Sequence, residues 1–179
     1  MPDVPDAHRR AAAHDAVARS AACGILTVSD TRTMETDASG RLIESLLLEA
    51  GHRVAARAIV PDEPERVRGQ LEPWLDDPGV TAIVTTGGTG LARRDTTVNA
   101  VRGLLSTEIE GFGELFRSIS FAEIGPAAML SRAIGGLVTR TAGGDTFLFA
   151  LPGSTNAVET ALRRLILPEL PHLIALRRA

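Results

Sequence analysis

Residues 83–95 read IVTTGGTGLARRD: a β-branched apolar run, Thr85 and Thr86, three glycines in four positions (Gly87, Gly88 and Gly90), then Arg93, Arg94 and Asp95. Glycine loses more conformational freedom on ordering than any other residue, so a turn this rich in it signals something approaching the backbone closely. A bare loop that opens toward a helix leaves N–H groups free to cradle a phosphate or another anion. A tight strand-to-helix turn would need one glycine or two. No Gly-Lys-Ser/Thr follows, so this is not a P-loop. The spacing is also wrong for a dinucleotide fingerprint, and no such pattern follows the first apolar run.

Two carboxylates stand where they could serve that loop. Asp62, in PDE (61–63), and Asp95, in RRD (93–95), each suit a helix cap. Together at strand ends beside a glycine loop, they suit a hydrated Mg²⁺ that bridges to nucleotide phosphates. Arg93 and Arg94 fit phosphate oxygens or an exposed salt bridge. Asp30 and Asp37 cap or face water. The histidines supply a negative clue: His8, His14, His52 and His172 all lie away from these turns. A histidine base and a His-rich zinc site are therefore disfavoured. Phosphoryl or nucleotidyl transfer escapes the objection when the attacking group is itself a phosphate, which is already anionic and asks only for positioning and charge neutralisation.

Alternating apolar runs and helical patterns must position these residues. Residues 22–29 (ACGILTVS), 53–60 (RVAARAIV) and 80–86 (VTAIVTT) read as buried strands, the second stopped by Pro61. Between them, 36–51 places Leu42, Ile43, Leu46 and Leu47 at helical spacing, with Thr36 or Asp37 as cap and Gly51 as terminator. Residues 62–75 place Val67, Leu71, Trp74 and Leu75 on one face, with Asp62 at the cap and Pro64 in the first turn. Helices are expected at 96–105, around 112–120 and from Pro126 to about Ile134. A hairpin is expected over 137–153, turning at Gly143–Asp145, and a last helix from Ser154–Thr155 carries Val158, Leu162, Leu165 and Ile166. Alternating strands and helices imply a parallel sheet covered on both faces, with ligands beyond the carboxyl ends of its strands. Ser29–Thr31, Pro61–Glu63, the glycine loop and LPGST (151–155) would then meet on one rim.

The bulk properties exclude several classes. The 179 residues suffice for one core; 44% hydrophobic and 23% charged residues are ordinary for a globular chain. A net charge of −3 and 3% aromatic residues argue against a nucleic-acid binder, which would carry a basic excess or stacking platforms. No segment is apolar enough to span a membrane, and residues 1–20 have no hydrophobic centre and read as a mobile arm rather than a secretory signal. The lone Cys23 forbids an internal disulfide, suits a cytoplasmic location and reads as core packing.

Several blocks in order, SDT…DASG, PDE, TTGGTG…RRDTT, EIEGFGELFRSISFAEIGPAAMLSRAIGG and FALPGSTNAVETALRRLILPELPHL, resemble the MoaB/MogA family of molybdenum-cofactor biosynthesis proteins, the central block resembling the MoaB branch more. The likeness runs from about Cys23 to Leu173. It implies a three-layer α/β/α sandwich with a mainly parallel central sheet and one hairpin strand, filling residues 21–179 as a single domain. It implies molybdopterin as ligand or substrate and, in active members, Mg-ATP-dependent attachment of AMP to its terminal phosphate with release of pyrophosphate. The matching catalytic and Mg-organising residues are Asp62 and Asp95. The matching binding residues are Ser29, Asp30, Thr86, Gly87, Gly88, Thr89, Gly90, Arg94, Thr96, Pro152, Gly153 and Ser154. A homotrimer or hexamer, other proteins of the pathway as partners, and no nucleic acid or membrane complete the implied set. The family usually has an acidic residue near Asn99 and a proline at Thr155. Asn99 favours a second reading, a pterin carrier without catalysis. A third, a pterin dehydratase, would want histidines around the ring that the sequence does not place there.

Overall fold

The structure, a computed structural model, describes residues 20–92, 95–140 and 144–177. The N-terminal arm up to residue 19, Arg93, Arg94, residues 141–143 (with Gly143 of the expected hairpin turn) and residues 178–179 lie outside the described residues, while Gly144 and Asp145 of that turn are already in a strand.

Six strands form one sheet in the order β2-β1-β3-β6-β5-β4. β1 (Ala22–Val28), β2 (Arg53–Val60), β3 (Ala82–Thr86) and β6 (Gly144–Leu151) run parallel, while β5 (Ile134–Arg140) pairs antiparallel with both β6 and the two-residue β4 (Thr107–Glu108). Neighbouring residues of each parallel strand face opposite ways and feed two separate cores. Cys23, Ile25, Val84, Phe147 and Phe149 pack with α1 (Ala38–Glu49), α4 (Glu110–Ile124), α5 (Thr155–Ala161) and α6 (Leu167–Arg177). Leu26, Val28, Ile83 and Leu148 pack with α2 (Pro64–Leu75) and α3 (Thr97–Arg102). This is the expected three-layer sandwich. From β1 the chain moves outward to β2, then crosses back to β3 on the other side. The order therefore reverses between β1 and β3, where open α/β sheets leave a crevice.

Local chemistry sets the helix ends. Asp37 caps α1 by accepting from Gly40 N at 2.9 Å, and Gly51, at φ 81°, turns the chain out after it. Three expectations need correction. Asp62 does not cap α2: Glu63 holds the cap position and makes no side-chain cap bond. The pattern from Pro126 to Ile134 does not form an α-helix; a 3₁₀ turn occupies Gly125–Leu130, and the chain is already in β5 at Ile134. Gly135 belongs inside that strand because a Cβ there would meet the Phe149 ring at 2.5 Å. The helix expected over 96–105 stops at Arg102, where Gly103 takes the C-cap.

Candidate functional site

Four parallel strands in one order put their carboxyl ends on one edge, and the turns that follow them are in contact. The Gly87 amide donates to Leu151 O at 3.1 Å, Thr86 Oγ1 donates to Pro152 O at 3.0 Å, and Ser39 Oγ at the start of α1 donates to Gly153 O at 2.8 Å. A Cβ on Gly153 would touch Gly87 Cα at 3.2 Å. Gly87, at φ 98°, has its Cα pressed against the Val28 carbonyl, so a Cβ there would fall onto that oxygen. The turns after β1, β3 and β6 are thus packed backbone to backbone, which explains why the loop is bare of side chains.

Along this edge run three adjoining depressions. One of about 460 Å³ is lined by Ser29, Asp30, Arg32 and Pro61, among others. The next, about 280 Å³, shares Ser29 and Arg32 and adds Thr27, Asp37, Ser39, Thr86, Gly87 and Gly153. The third, about 350 Å³, shares Gly87 and Gly153 and adds Gly88, Thr89, Gly90, Asp95, Arg132 and Pro152. Among the described residues the amides of Gly88, Thr89, Gly90 and Leu91 donate to no acceptor. Backbone donors left free beside a hollow suit an anion.

Asp62 and Asp95 flank the loop on separate supports. Thr96 donates to Asp62 Oδ1 through its amide at 3.4 Å and its hydroxyl at 3.2 Å, and the Asp62 amide donates to Asp30 Oδ1 at 3.1 Å. A Cβ on Gly88 would lie 2.6 Å from Asp62 Oδ2, and one on Gly90 would lie 2.5 Å from Asp95 Oδ2. Burial is the main influence raising the Asp62 carboxyl above its ordinary value, opposed by the Thr96 bonds and aided by the charges of Asp95 and Asp30. Asp95 Oδ2 accepts from Ala92 N at 2.7 Å, closing the loop on itself.

Of the residues singled out from the sequence, Ser29, Asp30, Thr86, Gly87, Gly88, Thr89, Gly90, Asp95, Pro152 and Gly153 line the three depressions. Thr96 holds Asp62. Ser154 uses its hydroxyl to accept from Ala157 N and cap α5. Arg94 lies outside the described residues. Sequence reasoning passed over Asp37 as a member of the rim, and over Ser39, Thr97 and Arg132. The Thr97 hydroxyl is buried against Gly88 with no hydrogen-bond partner among the described residues. No motif marks Arg132, which reaches the loop across 42 and 43 positions of chain.

Comparison with known proteins decides the family. The sequence profile of a probable molybdopterin-binding domain matches residues 24–172. The chain belongs to the MoaB/MogA family of molybdenum-cofactor biosynthesis proteins. It is 51% identical over 159 residues to molybdenum cofactor biosynthesis protein B of Staphylococcus carnosus, covering 87% of this chain and 90% of that one. The Bacillus subtilis protein of the same name is 46% identical over 153 residues, covering 85% and 87%. A crystal structure of a molybdenum cofactor biosynthesis protein B superposes with a TM-score of 0.85 at 47% identity, covering 90% of this chain and 98% of that one. The tungsten cofactor synthesizing protein MoaB from Pyrococcus furiosus gives 0.80 at 35%, covering 90% and 99%. The family resemblance and the MoaB-type assignment therefore stand, and the described residues contain no helix long and apolar enough to cross a membrane.

Proposed function

We propose that this member of the family binds molybdopterin along the rim and transfers AMP from Mg-ATP to its terminal phosphate. The observation that carries the reading is the set of free amides at Gly88–Leu91 between two carboxylates on separate supports. An attacking phosphate needs no base, consistent with a rim that holds no histidine among the described residues. The amides would receive its charge, and the crevice between β1 and β3 would hold it in line with the nucleotide. The donor chemistry fits Mg²⁺: two hard oxygen carboxylates, Asp62 and Asp95, with phosphates and water completing the shell. The ion, when bound, would supply neutralisation of phosphate charge. Asp62 would hold it, with Thr96 keeping the carboxylate turned toward the loop.

The catalytic reading is tested by incubating protein, molybdopterin and Mg-ATP and measuring pyrophosphate, with Asp62→Asn and Asp95→Asn as controls. Release by the wild-type chain that falls in both variants supports it. A second reading, a non-catalytic pterin carrier, is favoured by Asn99, an exposed neutral residue just beyond the loop where the family usually carries an acid. Tight molybdopterin binding without ATP-dependent pyrophosphate would establish that reading instead. The same proposal extends to a homotrimer or hexamer in the cytoplasm. Leu115, Phe121, Ile124, Met129 and Leu130, all exposed on α4 and the 3₁₀ turn, are the apolar side chains that such an assembly would cover.

A further inference from the structure

Arg132 lies between the 3₁₀ turn and β5, and its side chain reaches the far side of the glycine loop. Nε donates to Thr89 O at 2.8 Å, and Nη2 donates to Gly90 O at 2.7 Å and to Asp95 O at 2.9 Å. One guanidinium therefore grips both ends of the segment that starts at the glycines and finishes at the second carboxylate. All three acceptors are backbone carbonyls, and among the described residues no carboxylate forms an ion pair with this side chain. Its charge is spent on shaping a loop.

The consequence follows from peptide geometry. In a planar trans peptide the carbonyl of one residue and the N–H of the next point opposite ways. Drawing the Thr89 and Gly90 carbonyls onto the guanidinium turns the Gly90 and Leu91 amides away from it. Drawing in the Asp95 carbonyl turns the Thr96 amide away too, and that amide lies on Asp62 Oδ1 at 3.4 Å. We propose that Arg132 is a positioning residue that sets the Gly90 and Leu91 amides as receivers of a phosphoryl group and, through Thr96, fixes the orientation of Asp62. The planar fork suits this task, since a single guanidinium presents several donors in one plane, whereas lysine offers one compact ammonium. The role in turnover rests on the adenylylation reading; the role in receiving a phosphate does not.

The test separates the two. Amide signals in ¹⁵N–¹H spectra are followed while inorganic pyrophosphate is added to the full chain, without nucleotide. In the wild-type protein Gly90 and Leu91 shift and saturate. In Arg132→Gly the affinity falls by about tenfold or more while the α1 amides keep their positions, and non-denaturing guanidinium ion restores it, an effect that loss of packing alone does not produce. If Arg132→Gly does not fold, Arg132→Lys is read instead, and an affinity reduced about three- to tenfold is expected. Wild-type affinity in the variant that folds, a folded glycine variant that guanidinium does not rescue, or a wild-type titration that leaves Gly90 and Leu91 unmoved would each overturn the proposal. Failure of the wild-type chain to release pyrophosphate from Mg-ATP would count against adenylylation while leaving the amide result intact.

Discussion

Asp37 and Asp62 stand close to the starts of successive helices on the same edge of the sheet, yet their surroundings are opposites. Asp37 is completely buried and fully answered: Thr27 Oγ1 donates to it at 2.8 Å, Gly40 N at 2.9 Å and Arg57 Nη2 at 2.9 Å. Burial pushes its carboxyl up, but the bonds from Arg57, Gly40 and Thr27, with the Arg57 charge, prevail and hold it below its ordinary value. Asp62 is half-buried, has two longer bonds from Thr96 and two other carboxylates nearby, and its proton is held more tightly than usual. The difference separates a carboxylate that builds the rim from one that no cation among the described residues answers. A cation arriving with a phosphate would complete the second and has nothing to add to the first.

The largest effect expected from this contrast is catalytic. Asp62→Asn and Asp95→Asn should each lower pyrophosphate release by about 10²–10³-fold, the usual cost of losing one electrostatic contact to a transition state. Molybdopterin affinity should change little in comparison, as followed by fluorescence titration. Gly87→Ala probes the loop between the two aspartates. A Cβ driven onto the Val28 carbonyl, at a φ that side chains rarely adopt, should cost at least about 1–3 kcal/mol in urea unfolding and weaken pterin binding as well.

Asp37→Asn should act in the other direction from Asp62→Asn. Leaving the Arg57 guanidinium without its buried partner should destabilise the protein by about 3 kcal/mol, although Glu44, 3.0 Å from Arg57, softens the loss. Asp62→Asn should instead leave stability unchanged or slightly raised. The pH dependence carries the same signature. Asp37, lowered from 3.8, contributes stability that is complete above 3.8 and is lost as pH falls through its folded value. Asp62, raised from 3.8, contributes stability that is present below 3.8 and lost as pH rises through its folded value. Acid titration of melting temperature in the two variants should therefore diverge in opposite senses. Parallel curves would undo the distinction.

The smallest expected effects concern groups remote from the rim. Burial lowers the His52 imidazole below its ordinary 6.5, and its Nδ1 accepts from Ala21 N at 3.1 Å, so it favours the fold when neutral. That contribution is complete above 6.5 and lost as pH falls through the folded value, and His52→Gln should flatten this part of the stability profile. The Cys23 thiol, pushed up to about 12 by burial despite the opposing charge of Arg53, should resist alkylation in the native protein and react on unfolding.

Much of this architecture was legible before any coordinates. The apolar runs of β1, β2 and β3 are short, β-branched and bounded by turn residues, and β2 occupies the expected 53–60. The rim followed from them, because parallel strands send their carboxyl-end turns to one side. What escaped depends on distant contacts. Gly135 and Gly136 weaken any strand pattern, and only the Phe149 ring shows why the chain is extended there. Pro126 and the small residues after it suggest a helix, yet Gly125, at φ 62°, breaks α4 and leaves a 3₁₀ turn. Asp62 has a good local reason to be a cap, overridden by Thr96 from beyond the glycine loop. Arg132 has no local signal at all, since its three acceptors lie about forty residues earlier in the chain.

On the proposed function, the carboxylate of Asp62 serves the reaction and that of Asp37 serves the fold. The direct measurement is pyrophosphate released per folded protomer from molybdopterin and Mg-ATP, compared between Asp62→Asn and Asp37→Asn. Loss of about 10²–10³-fold in the first, with the second within an order of magnitude of wild type, is the predicted result. Equal rates in the two variants, or full activity without the Asp62 carboxylate, would contradict it.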